Sequence, residues 1–115
     1  MNLRKARRAV RCYYPEWCSS HYHGPCGPIA CVLQEAIGGQ LNYCMTAHLP
    51  NAEEWYGHYV VILGGQVFDI AGVFAEGGRH AYYRDIKPEP RIHSCWTEAD
   101  IDFWRVRLQG ALKSH

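Results

Sequence analysis

Apolar residues recur at helical spacing in two parts of the chain. Residues 28–39 open with a proline, continue with a mainly apolar run and end in two glycines. Because proline fits the first turn of a helix and glycine supplies a left-handed stop, this segment predicts the central helix. Near the end of the chain, Thr97 and Asp100 resemble a capping box. The helix that follows them carries an apolar stripe at Ile101, Trp104, Leu108 and Leu112.

Apolar and polar residues alternate in the middle of the chain, as they do in strands. Residues 40–48 alternate and contain Leu, Tyr, Cys and Thr, which predicts a strand. Residues 58–63 and 66–70 are two β-rich runs on either side of Gly64 and Gly65. Two such runs flanking a glycine pair predict a β-hairpin.

Two connecting stretches lack a regular period. Residues 12–27 are a predicted loop rich in Tyr, Pro, Ser, His and Gly, and loops of that length in small domains tend to be functional or tied down. Residues 71–90 are predicted as mostly loop, with a short helix or strand at 80–84. The order helix, strand, hairpin, helix predicts one α+β domain over residues 1–115.

Composition and charge narrow the classes of partner. The 115 residues are 48% hydrophobic, which is enough for one core. Their formal charge of +1 is too small to attract nucleic acid or an acidic membrane. Basic residues crowd positions 1–11, which we interpret as a solvated helix or arm, with a phosphate or partner contact as the alternative. No segment resembles a signal peptide or reaches the ~18 apolar residues of a membrane span. We therefore expect a cytoplasmic protein with neither nucleic acid nor membrane as a partner.

Cys26 is the first candidate for chemistry. It lies just before the helix that Pro28 opens, where unpaired N–H groups and the positive dipole end stabilise a thiolate. Gly27 removes side-chain bulk beside the sulfur, so that a substrate carbonyl could approach. The alternative is a thiol that merely packs in the core.

The hairpin supplies two possible partners for this thiol. If the two glycines form the whole turn, Leu63 pairs with Gln66 and Val60 pairs with Asp69. Residues 58, 60, 67, 69 and 71 then share one face of the sheet. His58 and Asp69 lie diagonally on that face, as a carboxylate must to orient an imidazole toward a nucleophile. A three-residue loop would place Asp69 on the opposite face.

These segments resemble a known superfamily. Residues 26–33, CGPIACVL, look like the nucleophile helix of bacterial cysteine peptidases that trim double-glycine leader peptides. Residues 57–62 and 67–69 are similar to the His strand and the Asp strand of those enzymes, and equally to the papain-fold domains of bacterial polymorphic toxins. The resemblance implies a papain-like fold, with a central nucleophile helix packed on a small antiparallel sheet.

The same resemblance implies an activity and a substrate class. The expected chemistry is acyl transfer on peptide or glutamine amide bonds by Cys26, His58 and Asp69, without a cofactor. The substrate would be a protein or peptide, bound in a shallow cleft or in one completed by a partner protein. As a toxin domain, the chain could also be delivered into another cell.

The oxyanion hole departs from that pattern. Leader peptidases carry a Gln six residues before the nucleophile, whereas this chain has Ser20. Ser20, His21 or His23 could donate instead, together with the Cys26 N–H. Trp17 and the neighbouring tyrosines either line a substrate groove or pack on the core.

Two alternatives remain open at this level. Residues 12–26 contain five zinc-type ligands, Cys12, Cys18, His21, His23 and Cys26, although no paired Cys-x-x-Cys spacing is present. With a zinc-stapled loop, Cys26 would be a metal ligand rather than a nucleophile, and the chain a binding module. The second alternative keeps the fold, with or without zinc, in a non-catalytic binding or inhibitor protein of a mobile element or toxin system. The other cysteines, Cys31, Cys44 and Cys95, are predicted to be packed thiols.

Overall fold

The computed structural model describes residues 2–13, 25–47, 51, 53–71 and 82–113. These residues form three helices and a four-stranded antiparallel sheet, so the predicted α+β class is confirmed. The helices are α1 (Leu3–Tyr13), α2 (Cys26–Ile37) and α3 (Glu98–Lys113). The strands are β1 (Gln40–Ala47), β2 (Tyr56–Leu63), β3 (Gln66–Phe68) and β4 (Tyr82–Pro88), in the sheet order β3-β2-β1-β4.

Helix α2 begins two residues earlier than the sequence pattern indicated, because Cys26 is its first residue. The first backbone bond of the helix runs from the Ile29 N–H to the Pro25 carbonyl, at 3.1 Å. Pro28 therefore lies in the first turn, where a missing N–H costs no helical hydrogen bond. Gly38 adopts a φ of 80° and its N–H donates to the Gln34 carbonyl at 2.8 Å, which ends the helix as predicted.

The hairpin has the predicted two-residue turn. Leu63 pairs with Gln66, and the pairing continues to Val61 opposite Phe68. Gly64 and Gly65 have φ values of 59° and 76°, and positive φ at both turn positions is what a type I′ hairpin requires. The register of β2 and β3 is therefore the one that the sequence argument used.

The prediction for residues 71–90 was wrong at its C-terminal end, where β4 is a seven-residue strand rather than a loop with a short element. The strand pairs with β1 through a register shift between Tyr43 and Met45. Asp85, with a φ of 55°, lies where β4 contains the extra residue, as in a β-bulge. An exposed, charged edge strand of this kind lacks the apolar alternation that reveals a strand in sequence.

The core lies between the sheet and the helices. Helix α2 packs on β2 and β1 and against α3, and α3 also packs against α1. The last helix is capped as predicted, because the Thr97 N–H donates to Asp100 Oδ2 at 2.7 Å. Within the described ranges, no helix is both long and apolar enough to cross a membrane. The buried side chains of this core include Ala6, Val10, Ile29, Leu33, Tyr59, Val61, Trp104 and Leu108.

The three cysteines predicted to be packed differ in their surroundings. Cys44 is fully buried and Cys31 is partly buried against the core. Cys95 is exposed, so its prediction was wrong. The turn before α3 directs the neighbouring Trp96 toward the core instead.

Candidate active site

Cys26 opens α2 and is 5% exposed. The first four N–H groups of a helix have no partner inside the helix, but Pro25 and Pro28 carry no N–H at all. The N–H groups left over at this end are therefore those of Cys26 and Gly27, on either side of the thiol. A negative charge that develops next to the sulfur would meet these two donors and the positive end of the helix dipole.

His58 lies near the start of β2 and is 1% exposed. Its Nε2 is 2.8 Å from Asp69 Oδ2. Because an ionised carboxylate only accepts, Nε2 carries the proton of this bond. With Nε2 bound to Asp69, Nδ1 is the ring nitrogen left for Cys26, whose side chain lies close enough to raise the pKa of the imidazole.

Asp69 follows β3 directly and is held by three further groups. The Ala71 N–H donates to Oδ1 at 3.0 Å, and the Tyr83 hydroxyl donates to Oδ2 at 2.8 Å. The Arg7 guanidinium donates through Nε and Nη2 to the Asp69 backbone carbonyl, at 3.2 and 2.9 Å. Every oxygen of Asp69 therefore has a donor, as a buried charged residue requires.

Protonation of the pair is set by these contacts. Burial alone would lower the pKa of His58, but the Asp69 charge and the hydrogen bonds to Asp69 and Cys26 outweigh burial and raise it above 6.5. Burial alone would raise the pKa of Asp69, but His58, Tyr83 and the Ala71 N–H lower it below 3.8. These contacts keep Asp69 ionised and make His58 a stronger base than a free imidazole.

This arrangement contains the three parts of nucleophilic acyl transfer: a thiol, an imidazole that can take and return its proton, and a carboxylate that fixes the imidazole. The structure brings the three predicted residues close together. His58 and Asp69 share a face of the hairpin, and Cys26 meets the free side of the imidazole.

Four aromatic rings cluster near the start of α2, where the Trp96 ring covers Gly27. The Tyr43 and Tyr59 ring centroids are 5.0 Å apart, and Tyr59 meets Trp96 at 5.9 Å. His93 stacks between Tyr43 and Trp96, at 5.6 and 6.2 Å. Sequence reasoning did not single out Trp96 or His93.

The space beside Gly27 is filled rather than open. A Cβ at this position would overlap the six-membered ring of Trp96. The expectation that Gly27 gives a substrate carbonyl room is therefore corrected, because Trp96 occupies the place of the missing side chain. Gly27 can still act through its backbone N–H.

The remaining predicted site residues lie outside the described part of the chain. These are Trp17, Ser20 and His23, together with Cys18 and His21 of the zinc alternative. Of that alternative, the structure describes Cys12, exposed on α1, and Cys26, buried on α2. In the described ranges no three His, Cys, Asp or Glu side chains are grouped as metal ligands.

Two residues around Asp69 were missed by sequence reasoning. Tyr83 is 14 positions from Asp69 in the chain, and Arg7 is 62 positions away. Arg7 lies in the basic segment that was interpreted as solvated, and Tyr83 in the stretch predicted as mostly loop. No local pattern marks either residue.

Comparison with known proteins identifies no relative: no family model, no curated protein and no solved structure matches this chain.

Proposed function

We propose that this chain is a cysteine-dependent amide hydrolase with Cys26 as nucleophile, His58 as general acid and base, and Asp69 as the residue that orients His58. One observation carries the proposal. The His58 ring is bound by Asp69 at 2.8 Å, the Cys26 side chain lies close enough to raise the pKa of the imidazole, and all three residues are at most 6% exposed. A buried carboxylate, imidazole and thiol in series are costly to maintain for stability alone.

The reaction follows from these positions. The Cys26 thiol gives its proton to His58 Nδ1, and the sulfur attacks the amide carbonyl. The oxygen of the tetrahedral intermediate takes the negative charge and accepts hydrogen bonds from the free N–H groups at the start of α2. His58 then protonates the leaving amine, and the C–N bond breaks to leave a thioester on Cys26.

A second half-reaction restores the enzyme. Water gives a proton to His58 and attacks the thioester carbonyl, and the thiolate leaves and is reprotonated by His58. Asp69 keeps the imidazole in one tautomer and stabilises the imidazolium in both halves. The proposed chemistry uses no cofactor.

The fold is consistent with a papain-like enzyme, which we propose as the family. A helix that begins at the nucleophile packs on an antiparallel sheet whose second strand carries the histidine, and the chain order is Cys, His, Asp. The cysteines Cys12, Cys26, Cys31, Cys44 and Cys95 are all free. Free exposed thiols are typical of a reducing compartment, so we propose that the chain acts in a cytoplasm.

The substrate is a protein or peptide amide, either in the main chain or in a glutamine side chain, since both follow the same steps. Incubation with a mixed peptide library, read by mass spectrometry, separates them. Cleavage creates new termini, whereas deamidation adds about one dalton, the difference between the –NH₂ of an amide and the –OH of an acid.

The matched control for this assay is Cys26→Ser, which keeps the shape of the site but lacks the thiol. Products that form with the wild type and disappear with Cys26→Ser support the proposal. If the wild type changes no peptide of the library, and thiol-directed electrophiles do not label Cys26, the chain is a binding protein built on this fold.

A further inference from the structure

Asp69 depends on distant elements for its orientation. Strand β3 ends at Phe68, so Asp69 has no strand partner of its own. Among the described residues next to it in the chain, the Ala71 N–H, two residues away, donates to the carboxylate. The two remaining anchors come from β4 and from α1.

Tyr83 reaches Asp69 from the far edge of the sheet. It lies on β4, whereas Asp69 follows β3, and these are the two outer strands of the order β3-β2-β1-β4. Its hydroxyl donates to the same Oδ2 that accepts from His58, at the same distance of 2.8 Å. Burial and the neighbouring Asp69 charge raise the pKa of Tyr83, so the phenol keeps its proton and stays a donor.

Arg7 reaches Asp69 from the N-terminal helix. Unlike Arg4 and Arg8, which are exposed, Arg7 is partly buried and points two donors at the Asp69 carbonyl. Bidentate contacts of this kind fix direction as well as position. Helix α1 is therefore attached to the backbone that carries the carboxylate.

We infer that Tyr83 and Arg7 are positioning residues for Asp69, Tyr83 fixing the carboxylate so that Oδ2 faces His58, and Arg7 fixing the backbone beneath it. This inference rests on the proposed function. Neither residue contacts the thiol, so both act on the reaction only through Asp69 and His58. The N-terminal helix is then part of the catalytic unit rather than a detachable arm.

The groups around Asp69 decide what removing Tyr83 would do. His58 from β2, Tyr83 from β4, Arg7 from α1 and the thiol of Cys44 from β1 surround it, and Cys26 from α2 acts through His58. A donor to a carboxylate favours its charged form. Removing the Tyr83 hydroxyl therefore raises the pH at which Asp69 takes up a proton.

The test is the titration of Asp69, followed by its carboxyl ¹³C shift in the substrate-free full chain. Tyr83→Phe is expected to raise the midpoint by about one pH unit, the size of one charge-assisted hydrogen bond. Tyr56→Phe is the matched control, because the Tyr56 hydroxyl donates to the exposed Glu54 instead. An unchanged Asp69 midpoint in a folded Tyr83→Phe variant would overturn the inference for Tyr83.

A second variant keeps the test decisive if Tyr83→Phe does not fold. Arg7→Lys retains the charge but loses the bidentate fork, and we expect the alkylation of Cys26 by iodoacetamide at pH 6 to slow roughly tenfold. Arg8→Lys on the exposed side of the same helix is expected to leave that rate unchanged. Equal rates for the two variants would overturn the role of Arg7.

These outcomes are separable from the proposed function. Neither measurement uses a substrate, so an enzyme that turns over no amide can still show the Asp69 shift. Turnover with normal Asp69 titration in Tyr83→Phe would leave the hydrolase standing and remove only the positioning role of Tyr83.

Discussion

The Nε2 of His58 lies 2.8 Å from Oδ2 of Asp69, and both side chains are buried. The two residues are 11 positions apart and belong to the same hairpin. The contact leaves the other ring nitrogen for Cys26, so the hairpin and the start of α2 together define the candidate site.

Replacing Asp69 by Asn is expected to reduce kcat by roughly 10²–10⁴-fold, because an amide can hold His58 in the wrong tautomer and cannot stabilise the imidazolium. The measurement is the rate of product formation with a peptide found in the library assay. Asp102→Asn, which changes an exposed carboxylate on α3, serves as the control and should keep wild-type activity. Equal losses in the two variants would point to a general effect on folding.

The buried pair also makes stability depend on pH. The pKa of His58 in the folded chain lies above 6.5. Its contribution to the free energy of unfolding is therefore complete below pH 6.5 and is lost as the pH rises through the pKa of the folded state. The folded pKa of Asp69 lies below 3.8, so its contribution is present above pH 3.8 and is lost as pH falls through the folded value.

The His58–Asp69 pair should therefore contribute most to the free energy of unfolding of the wild type between pH 3.8 and 6.5. Urea unfolding of wild type and Asp69→Asn across this range is the measurement. The difference between their free energies of unfolding should shrink as pH rises above 6.5, and a difference that is constant from pH 4 to 9 would contradict the assigned charges.

Gly27 should not tolerate a side chain. Gly27→Ala drives a methyl group into the Trp96 ring, and overpacking of this kind costs about 1–3 kcal/mol of the free energy of unfolding. Gly110→Ala in α3 is the matched control, because nothing lies within 4 Å of its Cβ position. That change should stabilise the chain by about 0.5–1 kcal/mol through helix propensity.

The double variant Gly27→Ala with Trp96→Ala separates overpacking from any effect on the helix start. Relief of the clash predicts that the two substitutions together cost less than their sum. Strict additivity in thermal unfolding would argue that Trp96 does not pack over Gly27.

The pairing of His58 with Asp69 was predictable from sequence, because the length of a hairpin turn decides which residues of its two strands share a face. Two glycines of positive φ allow a two-residue turn, and the side-chain period of two then decides which face His58 and Asp69 share. Helix α2 was equally predictable, since its prolines and glycines mark both ends.

The surroundings of the pair were not predictable, because they depend on how elements pack. Tyr83 lies on a polar edge strand, and the bulge at Asp85 interrupts the alternation of side chains along that strand. Arg7 is one of several basic residues of α1, and nothing in the sequence distinguishes it from the others. Trp96 gives no local sign that it fills the space above Gly27. Contacts across a sheet or between helices follow from the three-dimensional packing and leave no regular spacing in the chain.

The central claim is that His58 activates Cys26. Its most direct test is the rate of iodoacetamide alkylation at each cysteine against pH, read by mass spectrometry in wild type and His58→Ala. Cys44 is the internal control, since it is 0% exposed and burial, with the charges of Asp69 and Cys26, raises its pKa to about 12. The account predicts that at pH 6 Cys26 is alkylated faster than the exposed Cys95 despite its burial, and that His58→Ala removes this advantage. A Cys26 that is alkylated more slowly than Cys95, at a rate that His58→Ala leaves unchanged, would contradict it.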